Sequence, residues 1–171
     1  MSIAEAMLGE FEHEVQTTRK FLQQLPKDAL KWKPHPKSHS AGDLALHIAA
    51  VPGAVLMGAM QEQFPVPDFS KGFPSPGSVE EVMAALENTI VTVRKVLPTI
   101  DDAKMMQTLT AVSNGQVVLT MPRVAFLRSI MFNHVYHHRG QFGVYLRLLG
   151  AKVPAAYGPS GDEVPEFARP R

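Results

Sequence analysis

Apolar residues recur at three- and four-residue steps in four separate stretches of this 171-residue chain, and this feature constrains its fold most strongly. Such a period places the apolar side chains along one face of an α-helix. The stretches span residues 2–25, 40–61, 78–97 and 122–150, and serine, proline or glycine marks their ends. The pattern predicts an all-α protein whose four amphipathic helices pack as a four-helix bundle.

The segments between these helices predict one further element and leave the topology open. Residues 109–119 place apolar and β-branched residues around Asn114-Gly115, which predicts a small β-hairpin before the last long helix. Residues 63–77 contain four prolines and are expected to form a loop. Because the connections on either side of the third helix are longer than those of tight αα-hairpins, a crossover topology competes with a simple up-down order.

Composition excludes several classes of partner and site. Seventeen Lys and Arg residues oppose sixteen Asp and Glu residues, and no long run of one charge suggests binding to nucleic acid or to an anionic membrane. No uninterrupted apolar run reaches the roughly 18–20 residues of a membrane span, so none is expected. The chain has no cysteine, which excludes disulfides, thiolate metal sites and a cysteine nucleophile. Any metal ion must therefore be bound by His, Asp or Glu.

Two further expectations concern the ends of the chain. Acidic residues interrupt the apolar ones at the N-terminus, which is unlike a signal peptide, so a cytoplasmic location is the default. The C-terminal tail, residues 151–171, is rich in proline and glycine and is expected to lie on the surface of the bundle. No internal repeat or domain boundary is evident, so residues 1–171 are predicted to form a single domain.

Three histidines are the candidate metal ligands. His134 and His138 lie four residues apart, so both imidazoles project from one helix face and can reach one ion. At about 100° per residue both fall near the centre of the apolar arc of the last helix, whereas His137 lies roughly a quarter turn away. His47, on the second helix, can complete a site of three nitrogens with an open position. Asp43, one turn earlier, is a candidate acceptor for the second ring N–H of His47.

Spacing alone leaves metal binding and simple burial as alternatives. A single histidine on an apolar face is more often a core residue with a hydrogen-bonded ring, and for His47 by itself that interpretation is the stronger one. The His134/His138 pair is harder to explain in this way, because two buried imidazoles without a shared partner each need hydrogen bonds and a lowered pKa. His13, His35 and His39 have no comparable setting and are interpreted as surface residues.

The last helix lacks the carboxylate base that a zinc protease requires. A zinc protease of the HExxH type needs a glutamate directly after the first histidine, where this chain has Val135. No Asp or Glu occurs between residues 122 and 150, so the carboxylates that remain as candidate bases are Asp43, Asp162 and Glu163. Three arginines of this region are interpreted as solvated or paired with the tail rather than catalytic: Arg128, Arg139 and Arg147.

Two segments resemble a known family. HVYHHRGQFGVYLRLLG followed by VPAAYGPSGDE is similar to the C-terminal signature of the DinB family of DinB/YfiT-like metalloproteins, and SAGDLALHIAAV is similar to its upstream motif. The resemblance implies a four-helix bundle with a crossover and a homodimer. It also implies a divalent metal, commonly zinc or nickel with iron or manganese as alternatives, bound by the residues that match the family's histidines: His47, His134 and His138.

The resemblance and the site together suggest several functions. Some DinB relatives are thiol-dependent transferases or isomerases that use bacillithiol, mycothiol or glutathione. The first hypothesis is therefore a metal-dependent S-transferase, in which the ion activates a low-molecular-weight thiol that attacks an electrophilic small molecule. Metal-dependent hydrolysis ranks lower because no general base is evident. A non-enzymatic metal-binding stress or scaffold protein and a metal-free interaction bundle are the remaining hypotheses.

Overall fold

The structure is a computed structural model, and it describes residues 1–72, 74–165 and 168–169. The described part is mostly helical with one small three-stranded sheet. Its α-helices are α1 (Ile3–Leu22), α2 (Ala41–Ala59), α3 (Val79–Val96), α4 (Asp102–Met106), α5 (Arg123–Phe126) and α6 (His134–Leu148). A π-helix (Leu127–Asn133) joins α5 to α6, and the strands are β1 (Gln63–Pro65), β2 (Thr108–Ser113) and β3 (Gln116–Pro122). Short 3-10 turns span Phe69–Lys71 and Leu97–Thr99.

The long helices begin where the sequence predicts, because serine side chains cap them. Ser2 and Ser40 each accept a hydrogen bond from the backbone N–H three residues later, and the acidic side chain at that position accepts one from the backbone N–H of the serine. Ser78 also caps α3, but Glu81 accepts from the backbone N–H of Gly77 at 2.7 Å and does not complete the reciprocal pair. At the other end of the last helix, Gly150 adopts a φ of 70°, which suits the residue that follows a helix.

The predicted hairpin is confirmed, and the sheet has one strand more than expected. β2 and β3 pair antiparallel around a turn in which Asn114 and Gly115 have φ values of 50° and 75°. β1 pairs with β2 in parallel, with Phe64 opposite Ala111, so the prediction of a loop over residues 63–77 is wrong at its start. Pro65 is tolerated because β1 lies at the edge of the sheet. Within the same segment, Phe73 lies outside the described residues.

The last helical stretch is not uniform, although the sequence predicts one helix. Seven residues, Leu127–Asn133, form a π-helix directly before the histidine pair. The backbone N–H of His134 bonds to the carbonyl of Ser129, five residues earlier instead of four. π-helical turns change the rotation per residue and occur often at functional sites. The π-helix therefore helps set the direction in which His134 points.

α2 is the core helix of the protein. By length and composition alone it could span a membrane, but 56% of its 18-residue apolar window is buried inside the protein. It packs mainly against α3, the π-helix and α6. This packing places His47 of α2 beside the last helical stretch.

The tail turns back onto the helices. Arg147 of α6 binds Asp162 at 2.7 Å, and the hydroxyl of Tyr157 donates to Glu14 of α1 at 3.0 Å. Residues 166, 167, 170 and 171 of the predicted surface tail lie outside the described residues. The organisation of the whole chain as a single domain stays a prediction.

Candidate metal site

The three candidate histidines converge on one point between α2 and α6. Nε2 of His134 lies 3.4 Å from Nε2 of His47 and 2.9 Å from Nε2 of His138. One ligand atom from each residue lies within 4.8 Å of the others. Two nitrogens bound to one tetrahedral zinc ion at the usual distance are about 3.3 Å apart. The donor set therefore fits a single divalent ion, while metal binding itself stays a prediction.

A neighbouring glutamine orients one of the rings. Nδ1 of His138 lies 2.9 Å from Oε1 of Gln141, one turn further along α6. Because an amide oxygen only accepts, this contact places the ring proton on Nδ1 and leaves the lone pair of Nε2 directed at the other histidines. Such an acceptor behind the ring is the usual partner of a metal-binding histidine.

Partial burial keeps the three imidazoles neutral. Burial, and then the proximity of His138 and His134, lowers the pKa of His47 to about 4. Burial is also the main cause of the lowered pKa of His134 and of His138. Since a metal ligand must present a lone pair, neutral imidazoles at physiological pH are the form that the site needs. Three neutral imidazoles whose nitrogens face one another can offer their lone pairs to a cation.

The second ring nitrogen of His134, Nδ1, is buried. The backbone carbonyl of Ile130, one turn earlier, raises the pKa of His134 through a hydrogen-bonding interaction and so partly offsets burial.

The other histidines lie outside the cluster. His137 is exposed, although its ring centroid is only 5.0 Å from that of His138. The structure therefore brings together the set that helical phase selected and leaves the neighbouring histidine at the surface. His13, His35 and His39 are exposed as well.

The acidic candidates are engaged elsewhere. Asp43 accepts hydrogen bonds from the Ser75 hydroxyl at 2.6 Å and from the Ser40 backbone. Burial raises the pKa of Asp43, but these hydrogen bonds outweigh it and leave the pKa below its ordinary value. Its predicted contact with the ring of His47 stays a prediction. Asp162 is paired with Arg147, and Glu163 accepts from the backbone of Ala155, so both anchor the tail.

One arginine behind the site was not expected to be buried. Arg139 is 2% exposed and lies 2.7 Å from the Glu14 carboxylate, and it also donates to Thr18 and Tyr157. It therefore meets the tail, as predicted, but also joins α6 to α1. This network ties α6, the helix that carries His138, to α1 and to the tail.

Of the other two arginines, one pairs with the tail and the other with α1. Arg147 pairs with the tail through Asp162, as the sequence suggests. Arg128 instead forms a two-pronged contact with Glu10 of α1, at 2.5 and 2.7 Å, and Glu10 also accepts from Tyr136.

The cluster opens onto a large cavity. His47 and His134 line a cavity of about 660 Å³ between α2, the sheet and the last helical stretch. The small residues that the sequence places beside His47, namely Ala50, Ala54 and Gly58, line it too. A molecule bound in this cavity would lie against the imidazoles.

Known proteins of similar sequence and structure were found. The family model of the DinB superfamily matches residues 10–142. The chain is 28% identical over 164 residues to the uncharacterized protein YrdA of Bacillus subtilis (strain 168). The aligned region covers 94% of this chain and 91% of that protein.

Two solved structures share the fold. A DinB-like protein from Bacillus cereus ATCC 10987 superposes with a TM-score of 0.70 at 24% identity, over 90% of this chain and 97% of that one. The DinB-like protein YjoA from Bacillus subtilis superposes with a TM-score of 0.65 at 18% identity, over 89% and 96%. At these identities the likeness extends to the fold alone.

Proposed function

This chain belongs to the DinB superfamily, and from its histidine cluster we propose that it binds a divalent metal ion through His47, His134 and His138. The observation that carries the proposal is the convergence of three neutral imidazole nitrogens, with Nε2 separations of 3.4 and 2.9 Å about His134. Zinc or nickel suits a set of three imidazoles best, with iron or manganese as alternatives.

We propose further that the protein is a metal-dependent thiol S-transferase that acts on electrophilic small molecules. A divalent ion bound by three neutral ligands supplies a Lewis acid that lowers the pKa of a thiol or water reaching it. The chain has no cysteine of its own, so a thiol nucleophile has to arrive as a low-molecular-weight cosubstrate. The chain's own residues orient the imidazoles and provide the cavity for the second reactant.

A metal-dependent hydrolase is the second candidate, because the carboxylate of Asp43 lines the same cavity as His47 and His134. Its hydrogen bonds from Ser75 and Ser40 and its lowered pKa make it a weak proton acceptor, which ranks this function below S-transfer. A purely structural ion ranks lower again, since α2 and α6 already pack against each other through the core.

Several properties of the whole molecule belong to the same proposal. We propose that α1, α2, α3 and the stretch from α5 to α6 form a four-helix bundle with a crossover. We propose that the chain forms a homodimer in the cytoplasm. Its balanced charge favours neither nucleic acid nor a membrane as a partner.

Metal content tests the ligand set. Protein purified without a histidine tag should contain about one divalent ion per chain, and His47→Ala and His138→Ala should each lose it. His137→Ala is the matched control, because His137 neighbours His138 but lies outside the cluster, and it should keep the ion. A metal-free wild type, or His138→Ala with full metal content, would contradict the site.

Turnover tests the activity separately. The metal-loaded wild type and His137→Ala should conjugate monochlorobimane to glutathione or bacillithiol, monitored by fluorescence, whereas His138→Ala should not. If no thiol reacts faster with the loaded wild type than in buffer, S-transfer is wrong while the metal site stands on its own measurement.

A further inference from the structure

The cavity beside the histidines has walls from three parts of the fold. α2 contributes one wall, where Ala50, Ala54 and Gly58 recur every four residues and so face the same side. Phe64 of β1 and Phe126 of α5 contribute to other walls. At about 660 Å³ the cavity falls in the size range of sites for small organic molecules.

The cavity exposes apolar surface to solvent. Met57 is 49% exposed, and Leu119 and Val118 of β3 are 36% and 56% exposed, and all three line the cavity. Exposed apolar side chains that cluster around a cavity are unfavourable in water and commonly mark a binding site. A bound apolar molecule would cover this surface.

Charge narrows the class of molecule. Among the lining residues that the structure describes, the only charged ones are Asp43 and Asp68, and none is Lys or Arg. The rest of the described lining is mostly apolar, so a charged group held there away from the histidines would lose its hydration, which is unfavourable. Glutathione and bacillithiol carry carboxylates, so the lining does not suit a thiol cosubstrate.

We propose that this cavity binds a neutral, apolar organic molecule with one end against His47 and His134. Resting on the proposed function, this molecule is the electrophilic substrate, and the anionic thiol approaches the cluster from outside the cavity. The small side chains of α2 then determine how bulky a substrate can be, because they leave the space that it fills.

A pair of fluorescent probes tests the proposal. N-phenyl-1-naphthylamine is neutral, and 8-anilinonaphthalene-1-sulfonate has the same aromatic system with an added sulfonate. The wild type, stripped of metal so that no ion attracts the sulfonate, should bind the neutral probe saturably and the sulfonate at least about tenfold more weakly. Binding of the neutral probe should persist after chelation, because the walls are protein side chains.

Two substitutions test whether the probe binds in this cavity. Ala54 is exposed within the cavity, so Ala54→Phe fills the space without disturbing the core and should weaken binding of the neutral probe at least about tenfold. Ala84 is also exposed, on α3 and outside the cavity lining, and Ala84→Phe should leave binding unchanged. Both variants should keep the wild-type metal content.

Three results would overturn the proposal. The sulfonate could bind as tightly as the neutral probe, or the two phenylalanine variants could behave alike. Alternatively, size-exclusion chromatography could show that Ala54→Phe changes the oligomeric state, which would assign this face to a second copy of the chain. Because metal content is measured independently, failure of the probe experiment is distinguishable from failure of the metal site.

Discussion

At the scale of single residues, the site depends on which nitrogen of each imidazole carries the proton. Gln141 is the described residue that settles this for His138, since its amide oxygen accepts from Nδ1 at 2.9 Å. Neither Gln141 nor His138 makes a metal site by itself. Together they direct the lone pair of Nε2 at the nitrogens of His47 and His134.

Removing this acceptor should therefore weaken metal binding without removing a ligand. Gln141→Leu keeps a side chain of similar size, and we expect a metal affinity about 10–100-fold lower in competition with a chromophoric chelator. Gln16→Leu, at an exposed position of α1, is the control and should match the wild type. Equal affinities for Gln141→Leu and the wild type would show that Gln141 does not orient His138.

The histidine cluster could be predicted at this scale, and the arginine behind it could not. Helical phase compares side chains with an apolar arc, and His134 and His138 lie on that arc. The same method assigns charged residues to solvent, so it places Arg139 outside although the residue is 2% exposed. The signal that it missed was Glu14, which lies among the apolar residues of α1 as a buried partner.

At the scale of elements, the contact of β1 with α2 depends on one glycine. A Cβ at Gly58 would lie 2.7 Å from the ring of Phe64, which packs onto α2 and against Phe126 with ring centroids 4.6 Å apart. Phe64 thereby forms part of the cavity and joins the sheet to the core.

Gly58→Ala should therefore destabilise the protein by about 1–3 kcal/mol, because Phe64 has to move away. Gly9→Ala on α1 meets nothing within 4 Å and should be neutral or stabilise the protein by up to about 1 kcal/mol. Urea unfolding followed by circular dichroism measures both. A Gly58→Ala variant as stable as Gly9→Ala would contradict the packing of β1 described above.

The elements differ in how far the sequence predicts them. Capping serines and apolar periods are local signals, and they give the starts of α1, α2 and α3 and the hairpin turn at Asn114-Gly115. β1 forms by pairing with residues more than forty positions away, as in Phe64 opposite Ala111. The local sequence of this segment is rich in proline and therefore predicts a loop. The π-helix is equally hidden, because its bonds differ from those of an α-helix by one residue and leave the composition unchanged.

At the scale of the whole molecule, the fold brings together side chains that are far apart in the chain. His47 and His134 are 87 residues apart, and the core that packs α2 against the last helical stretch places their Nε2 atoms at 3.4 Å. The same packing leaves the cavity open beside them. The sequence predicted these three residues as candidates, but only the assembled fold shows that they meet and that the space next to them is apolar.

The central claim is that one metal ion is bound by three histidines, and anomalous diffraction from tag-free, metal-loaded crystals tests it most directly. The account predicts a single anomalous peak about 2.0–2.1 Å from Nε2 of each of His47, His134 and His138 if the ion is zinc. A peak bound to His137, a peak that lacks His47 among its ligands, or the absence of any peak at the cluster would contradict it.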